Sequence, residues 1–147
     1  MNLDKTDVKI LKTLLENARI SNRQIAKKVD VSVGTVIAKI KKMETEGIIN
    51  GYSAKLNYEN LGYELTILTE IIVSKGKLID VEKEIAKIPN VCVVYDITGA
   101  TDAVVIAKFK NRKTLSEFTK TLLSLPFVER TNTHVVLTIV KEDYKLL

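Results

Sequence analysis

Residues 21–47 read SNRQIAKKVDVSVGTVIAKIKKMETEG, a stretch that holds two helix starts, a tight turn and a helix stop. Ser21 and Gln24 form a capping box: the serine hydroxyl takes the Gln24 N–H while the glutamine side chain reaches back to Ser21. Ser32 is a second N-cap, three residues beyond the Val29 that closes the first helix. Gly47 supplies the left-handed residue that ends the second helix. Between the caps, Ile25, Val29, Val36, Ile40 and Met43 fall on inward faces at helical spacing. Seven Lys/Arg side chains lie between Arg19 and Lys42, against one acid, Asp30. A short helix, a turn and a longer basic helix make a helix-turn-helix, whose second helix fits the major groove. Duplex DNA is the expected partner.

On a helical wheel of about 100° per residue, Val36, Ile40 and Met43 centre the inward side of that second helix. The outward side then carries Gly34, Thr35, Ala38, Lys41 and Lys42, with Lys39 at its edge. Thr35 and Lys39, with Ser32 and Val33 at the helix start, are the base-edge candidates. Lys41 and Lys42 reach for phosphates, and Arg23 on the preceding helix completes the expected contact set. No Arg, Asn or Gln stands on this face to make bidentate base contacts. The competing reading is a solvated lysine face on an ordinary helix.

Composition narrows the class. The 147 residues suffice for two small domains, and 46% hydrophobic with 28% charged residues is the balance of a globular chain, not a disordered one. No apolar run is long enough to cross a bilayer, and the charged start MNLDKTDVK does not read as a signal peptide, so a cytoplasmic location is expected. The single cysteine, Cys92, excludes an intramolecular disulfide and any cysteine-cluster metal site. Neither a metal nor a cofactor is expected. Residues 1–60 hold 11 Lys/Arg and 7 Asp/Glu, whereas residues 61–147 hold 12 and 11. The basic excess therefore sits where a phosphate-binding surface needs it.

An N-terminal helix precedes the quoted stretch, capped by Asp4 and striped by Val8, Leu11 and Leu15. After it, residues 48–57 alternate like a short strand leading out of the DNA-binding unit, followed by turn residues through Gly62. The expected domains are 1–60 and 61–147. The second contains an internal duplication: Leu78, Val81, Ile85 and Ile88 recur 37 residues later as Leu115, Phe118, Leu122 and Leu125. Pro89 and Pro126 stop both helices at the same relative place. Strand-like runs at 65–73, 91–98, 103–109 and 131–140 flank the helices. The order βαβ–βαβ predicts an α+β, ferredoxin-like sandwich with both helices on one face of a four-stranded antiparallel sheet. The strands are apolar on both faces, and two helices cover only one. A second copy of the same sheet is the simplest cover, giving a two-fold dimer.

The helix-turn-helix, then Gly47-Ile48-Ile49-Asn50-Gly51-Tyr52, then βαββαβ with Gly99-Ala100-Thr101-Asp102 between the middle strands and Thr131-Asn132-Thr133 on the last, resembles the Lrp/AsnC family of transcription regulators. The resemblance covers essentially the whole chain. It implies a winged-type helix-turn-helix, homodimers assembling into larger rings such as octamers, and a small effector, often an amino acid, bound where dimers meet. It points to Gly99, Ala100, Thr101, Asp102, Thr131 and Thr133 as the effector-binding group. Asp102 would pair the ammonium, while hairpin N–H groups and the two threonine hydroxyls would take the carboxylate. Ala100 stands where the family commonly has an acid, so weaker binding or a different ligand is expected. Without the resemblance, the hairpin reads as a tight turn and the threonines as ordinary strand residues.

His134 reads as a packed or surface residue, and Cys92 as a small buried hydrophobe. Two other functions compete with sequence-specific regulation. One is a nucleoid-associated architectural protein that coats DNA, favoured by the sparse base-reading groups. The other is an enzyme like the sirohaem decarboxylases, which resemble the same two-part fold; it lacks a convergent acid/base cluster here, so no catalytic residues are expected.

Overall fold

The computed structural model describes residues 2–147. The chain divides into two compact units, Met1–Lys55 with Glu142–Leu147, and Leu56–Lys141. The sequence places its division at 60/61 and keeps the tail with the second half.

The first unit is a three-helix bundle of α1 (Lys5–Glu16), α2 (Asn22–Val29) and α3 (Val33–Thr45). Each start is capped as the sequence indicates. The Asp4 carboxylate accepts from Thr6 and Asp7 N–H groups, and Asp7 reciprocates to Asp4. Ser21 and Gln24 close their box on α2, and Ser32 accepts from Thr35 N–H on α3. The turn between α2 and α3 is made by Asp30 in the left-handed region, φ 57°. The α3 end is a Schellman motif: Gly47 at φ 69° donates to Glu44 O, and Ile48 to Met43 O at 2.8 Å.

That motif explains why residues 48–57 are not a strand. Ile48 and Ile49 both donate to the Met43 carbonyl and pack against the helical core. Their alternation serves a helix cap, and the residues that follow run without a ladder partner. The stripe of α1 also differs from expectation. Ile10, Leu11 and Asp7 are buried and Leu14 packs against the core, while Leu15 is exposed and Val8 half-buried. Ile10 and Leu14 sit at i,i+4 and compete for the same inward arc, and the ion pair made by Asp7 turns the helix toward them.

The second unit is β1 (Leu65–Val73), α4 (Leu78–Ile85), β2 (Val91–Asp96), β3 (Ala103–Phe109), α5 (Arg112–Ser124) and β4 (Val128–Val135). The sheet order is β2-β3-β1-β4, antiparallel throughout. Both helices cover one face: Val81, Ile85, Phe118 and Leu122 pack on Ile67, Ile71, Val105, Ala107 and Phe109. The duplicated stripes are the two helices of this layer. Leu68, Ile72, Val93, Val104 and Ile106 point the other way, on a half-buried apolar face that no helix covers.

The last strand lies earlier than expected, starting at Val128 instead of 131 and ending at Val135 instead of 140. Its partner decides this. Ile67 pairs with Val135, and Val136 N–H makes the last bond to Thr66 O, one residue from the start of β1 at Leu65. Leu137 and Val140 are 96% and 93% exposed, their alternation outlasting the sheet. Cys92 is exposed, a correction to the buried reading: the ladder slips between Val91 and Val93 on the edge strand β2 and turns residue 92 outward.

Candidate nucleic-acid interface and ligand pocket

Burial of Val36 and Met43 and half-burial of Ile40 fix the rotation of α3. Gly34, Ala38, Lys41 and Lys42 are exposed, as the wheel indicates. Two large apolar side chains join them, Val33 at 38% and Ile37 at 49% exposure. Ile37 is not named in the sequence reading, although its wheel position beside Lys41 was the available signal. Ile37 and Lys41 also border an open groove of about 500 Å³ with Leu14, Ile20, Asn22 and Tyr52.

The polar groups at the start of α3 are partly used by the protein. Ser32 Oγ accepts from Thr35 N–H at 3.0 Å and lies 2.8 Å from Thr35 Oγ1. Lys42 Nζ approaches Glu46 only to 3.9 Å, an exposed i,i+4 pair of little strength. Arg23 is exposed on α2.

Lys39 is the main correction. Its ammonium donates to Asp4 Oδ2 at 2.6 Å and Asp7 Oδ1 at 2.8 Å, tying α3 to the capping box of α1. Asp7 is buried, so its charge requires a partner, and among the described residues Lys39 is the cation paired with it. The hydrogen bond from Lys39, with backbone donors, holds the Asp4 carboxyl down at about 2, and the two carboxylates push the Lys39 ammonium up. With both bonds made to Asp4 and Asp7, the Lys39 ammonium is engaged within its own unit instead of free at the helix surface.

In the second unit the six residues expected to bind an effector divide between two faces. Thr131 and Thr133 pair with Ile71 and Thr69, whose side chains lie under the helices, and Thr133 Oγ1 is 3.0 Å from Thr69 Oγ1. Asp102 is committed to the fold: its Oδ2 accepts from Val73 N–H at 2.8 Å, its N–H donates to Ile71 O, and its carbonyl accepts from Ile97 N–H. Gly99, at φ 129°, turns the hairpin. Ala100 and Thr101 remain, and they line a pocket of about 190 Å³ with Glu70, Ile72, Arg130 and Asn132.

Strand alternation builds this pocket. Glu70 and Ile72 on β1 face Asn132 and Arg130 on β4, all on the side away from the helices. Asn132 Nδ2 donates to Glu70 Oε2 at 3.0 Å, and His134 Nε2 lies 3.2 Å from the same oxygen. Hydrogen bonding by Asn132, then by His134, holds the Glu70 carboxyl below its ordinary value. One carboxylate and one guanidinium thus flank a small apolar floor, a pairing suited to a zwitterion. Sequence reasoning missed Glu70 and Arg130 because the register between the two strands, which brings them together, is not written in either segment alone.

Known proteins agree with this two-part arrangement. Residues 3–50 match the family described as Winged helix-turn-helix DNA-binding, and residues 66–146 match the Lrp/AsnC ligand binding domain. An HTH-type transcriptional regulator of Pyrococcus abyssi, itself uncharacterized, is 51% identical over 144 residues, covering 98% of each chain. The HTH-type transcriptional regulator FL11 of Pyrococcus horikoshii is 34% identical over 98% of this chain and 95% of its own. In structure, a transcriptional regulator of Neisseria meningitidis solved as its L-Met complex superposes with a TM-score of 0.91 at 31% identity, covering 99% of this chain and 97% of that one. With both halves matched in order and nearly full-length relatives, the chain belongs to the Lrp/AsnC family, as an HTH-type transcriptional regulator with its ligand-binding domain.

Proposed function

We propose that this regulator reads DNA with the exposed face of α3, pairs two such readers through the uncovered face of its sheet, and binds a small amino acid at the pocket of Glu70 and Arg130. One observation carries the reading: the chain combines a basic capped helix with small and apolar outward residues and a separate unit whose sheet is apolar on both sides. Gly34, Ala38, Lys41, Lys42, Val33 and Arg23 form the DNA surface, with Ser32 and Thr35 at its start. A second copy is the fitting cover for Leu68, Ile72, Val104 and Ile106, since like faces bury like under two-fold symmetry. Rings of dimers extend the same principle. The relatives are transcriptional regulators, which supports a binding protein and not an enzyme, acting in the cytoplasm where the DNA is.

The ligand reading rests on charge placement. Glu70 faces an ammonium and Arg130 a carboxylate, with Ile72 and Ala100 leaving room for a modest side chain. The L-Met complex of the Neisseria relative supports an amino acid as the ligand class. Thermal-shift screening of the twenty amino acids tests it. A subset should raise the melting temperature of the wild type, and both Glu70→Gln and Arg130→Ala should remove the shift. A shift retained in both variants would move the ligand elsewhere.

A further inference from the structure

The outward face of α3 is poor in hydrogen-bonding side chains, and the structure makes it poorer still. Lys39 is held by Asp4 and Asp7, and the Ser32 and Thr35 hydroxyls lie within hydrogen-bond distance of each other. What remains toward the bases over the first two turns is Val33, Gly34, Ile37 and Ala38, all exposed. Beyond them, Lys41 and Lys42 are placed for phosphates.

Single exposed hydrophobes are ordinary on protein surfaces. Here two β-branched side chains stand four residues apart on one edge of a helix whose start enters the major groove, beside two lysines. The major-groove edge of a base pair offers one methyl group, the thymine C5-methyl; apart from the small cytosine C5–H, the other features are polar donors or acceptors. A guanine or cytosine edge against Ile37 would lose water from its polar atoms without gaining a partner.

We propose that Val33 and Ile37 are specificity-determining residues that read thymine C5-methyl groups in the major groove, so that each half-site is selected for thymine where the first two turns of α3 lie. This rests on the DNA-binding reading of α3. Small Gly34 and Ala38 let the helix sit deep enough for the two methyl-bearing side chains to touch the base edges. Lys41 and Lys42 anchor the backbone without choosing sequence.

Deoxyuridine provides the test, because it differs from thymidine only by that methyl. The full-length protein is first used to select sites from random duplexes, and binding to a selected duplex is titrated against salt. Each thymine is then replaced by deoxyuridine in turn, for wild type, Ile37→Ala and Val33→Ala, with folding checked by thermal melting. At one or two positions per half-site the replacement should weaken wild-type binding by about fourfold, the worth of one buried methyl-sized group. Ile37→Ala should abolish that penalty at one position and Val33→Ala at another, with the salt slope unchanged. Salt-dependent binding in which deoxyuridine is tolerated everywhere would overturn methyl readout while leaving DNA binding intact. So would sites selected without thymine, or a penalty that persists in both variants. Loss of all salt-dependent duplex binding would instead overturn the underlying reading along with this one.

Discussion

Lys39 shows how a charge on a DNA-facing helix can be engaged by the protein's own carboxylates. Its ammonium pairs with the carboxylates of Asp4, the α1 cap, and Asp7, which is buried, and so ties α3 to the start of α1. Lys39→Ala is expected to destabilise the first unit, because Asp7 is left buried without its cation. It should also weaken DNA binding through misplacement, without lowering the salt slope; a slope reduced by one would make Lys39 a phosphate contact. The same cluster gives a pH dependence. Asp4 titrates at about 2 when folded against 3.8 ordinarily, so its contribution is complete above about pH 4 and is lost as pH falls toward 2. Asp4→Asn should flatten the acid limb of the melting curve. Asp30 carries a different strain, a non-glycine residue at φ 57° in the turn. Asp30→Gly should stabilise the unit by about 0.5 kcal/mol, the left-handed penalty less the extra entropy of an unfolded glycine, read as a higher melting temperature.

Elements were legible where one local signal suffices. Three N-caps, a C-terminal glycine and two prolines mark most helix ends by steric and hydrogen-bonding rules that act within four residues. Strands β1 and β3 also came out with their observed bounds, being apolar runs fenced by turn residues. What failed depends on partners. The run 131–140 alternates to its end, but the pairing of β4 with β1 ends at Ile67 and Val135, near the start of β1. Residues 48–57 alternate too, yet Ile48 and Ile49 are taken by the Met43 carbonyl. Of the hairpin and strand residues named from sequence, Ala100 and Thr101 line the small pocket, whereas Thr131 and Thr133 were named without the register that turns them under the helices. Asp102 is the sharpest case. Since its carboxylate holds Val73 N–H, Asp102→Ala should cost about 1–2 kcal/mol of stability and leave ligand-induced thermal shifts in place, the reverse of what Arg130→Ala should do.

The proposed dimer joins a weak reader to a pairing surface. One α3 offers few base contacts, so two tethered copies are needed for useful affinity through effective concentration. A charge placed on the uncovered sheet face, Ile106→Glu, should break the dimer in light scattering and weaken binding to two-half-site duplexes far more than to a single half-site. The most direct measurement is the salt dependence of the Kd of the full-length protein for a selected duplex, compared between wild type and Lys41→Ala/Lys42→Ala. Wild-type log K should fall linearly with log salt, and the double variant should lose about one unit of slope per lysine per DNA-bound subunit while keeping its sequence preference. An unchanged slope, or a changed preference at the same slope, would contradict the assignment of this face of α3 to DNA.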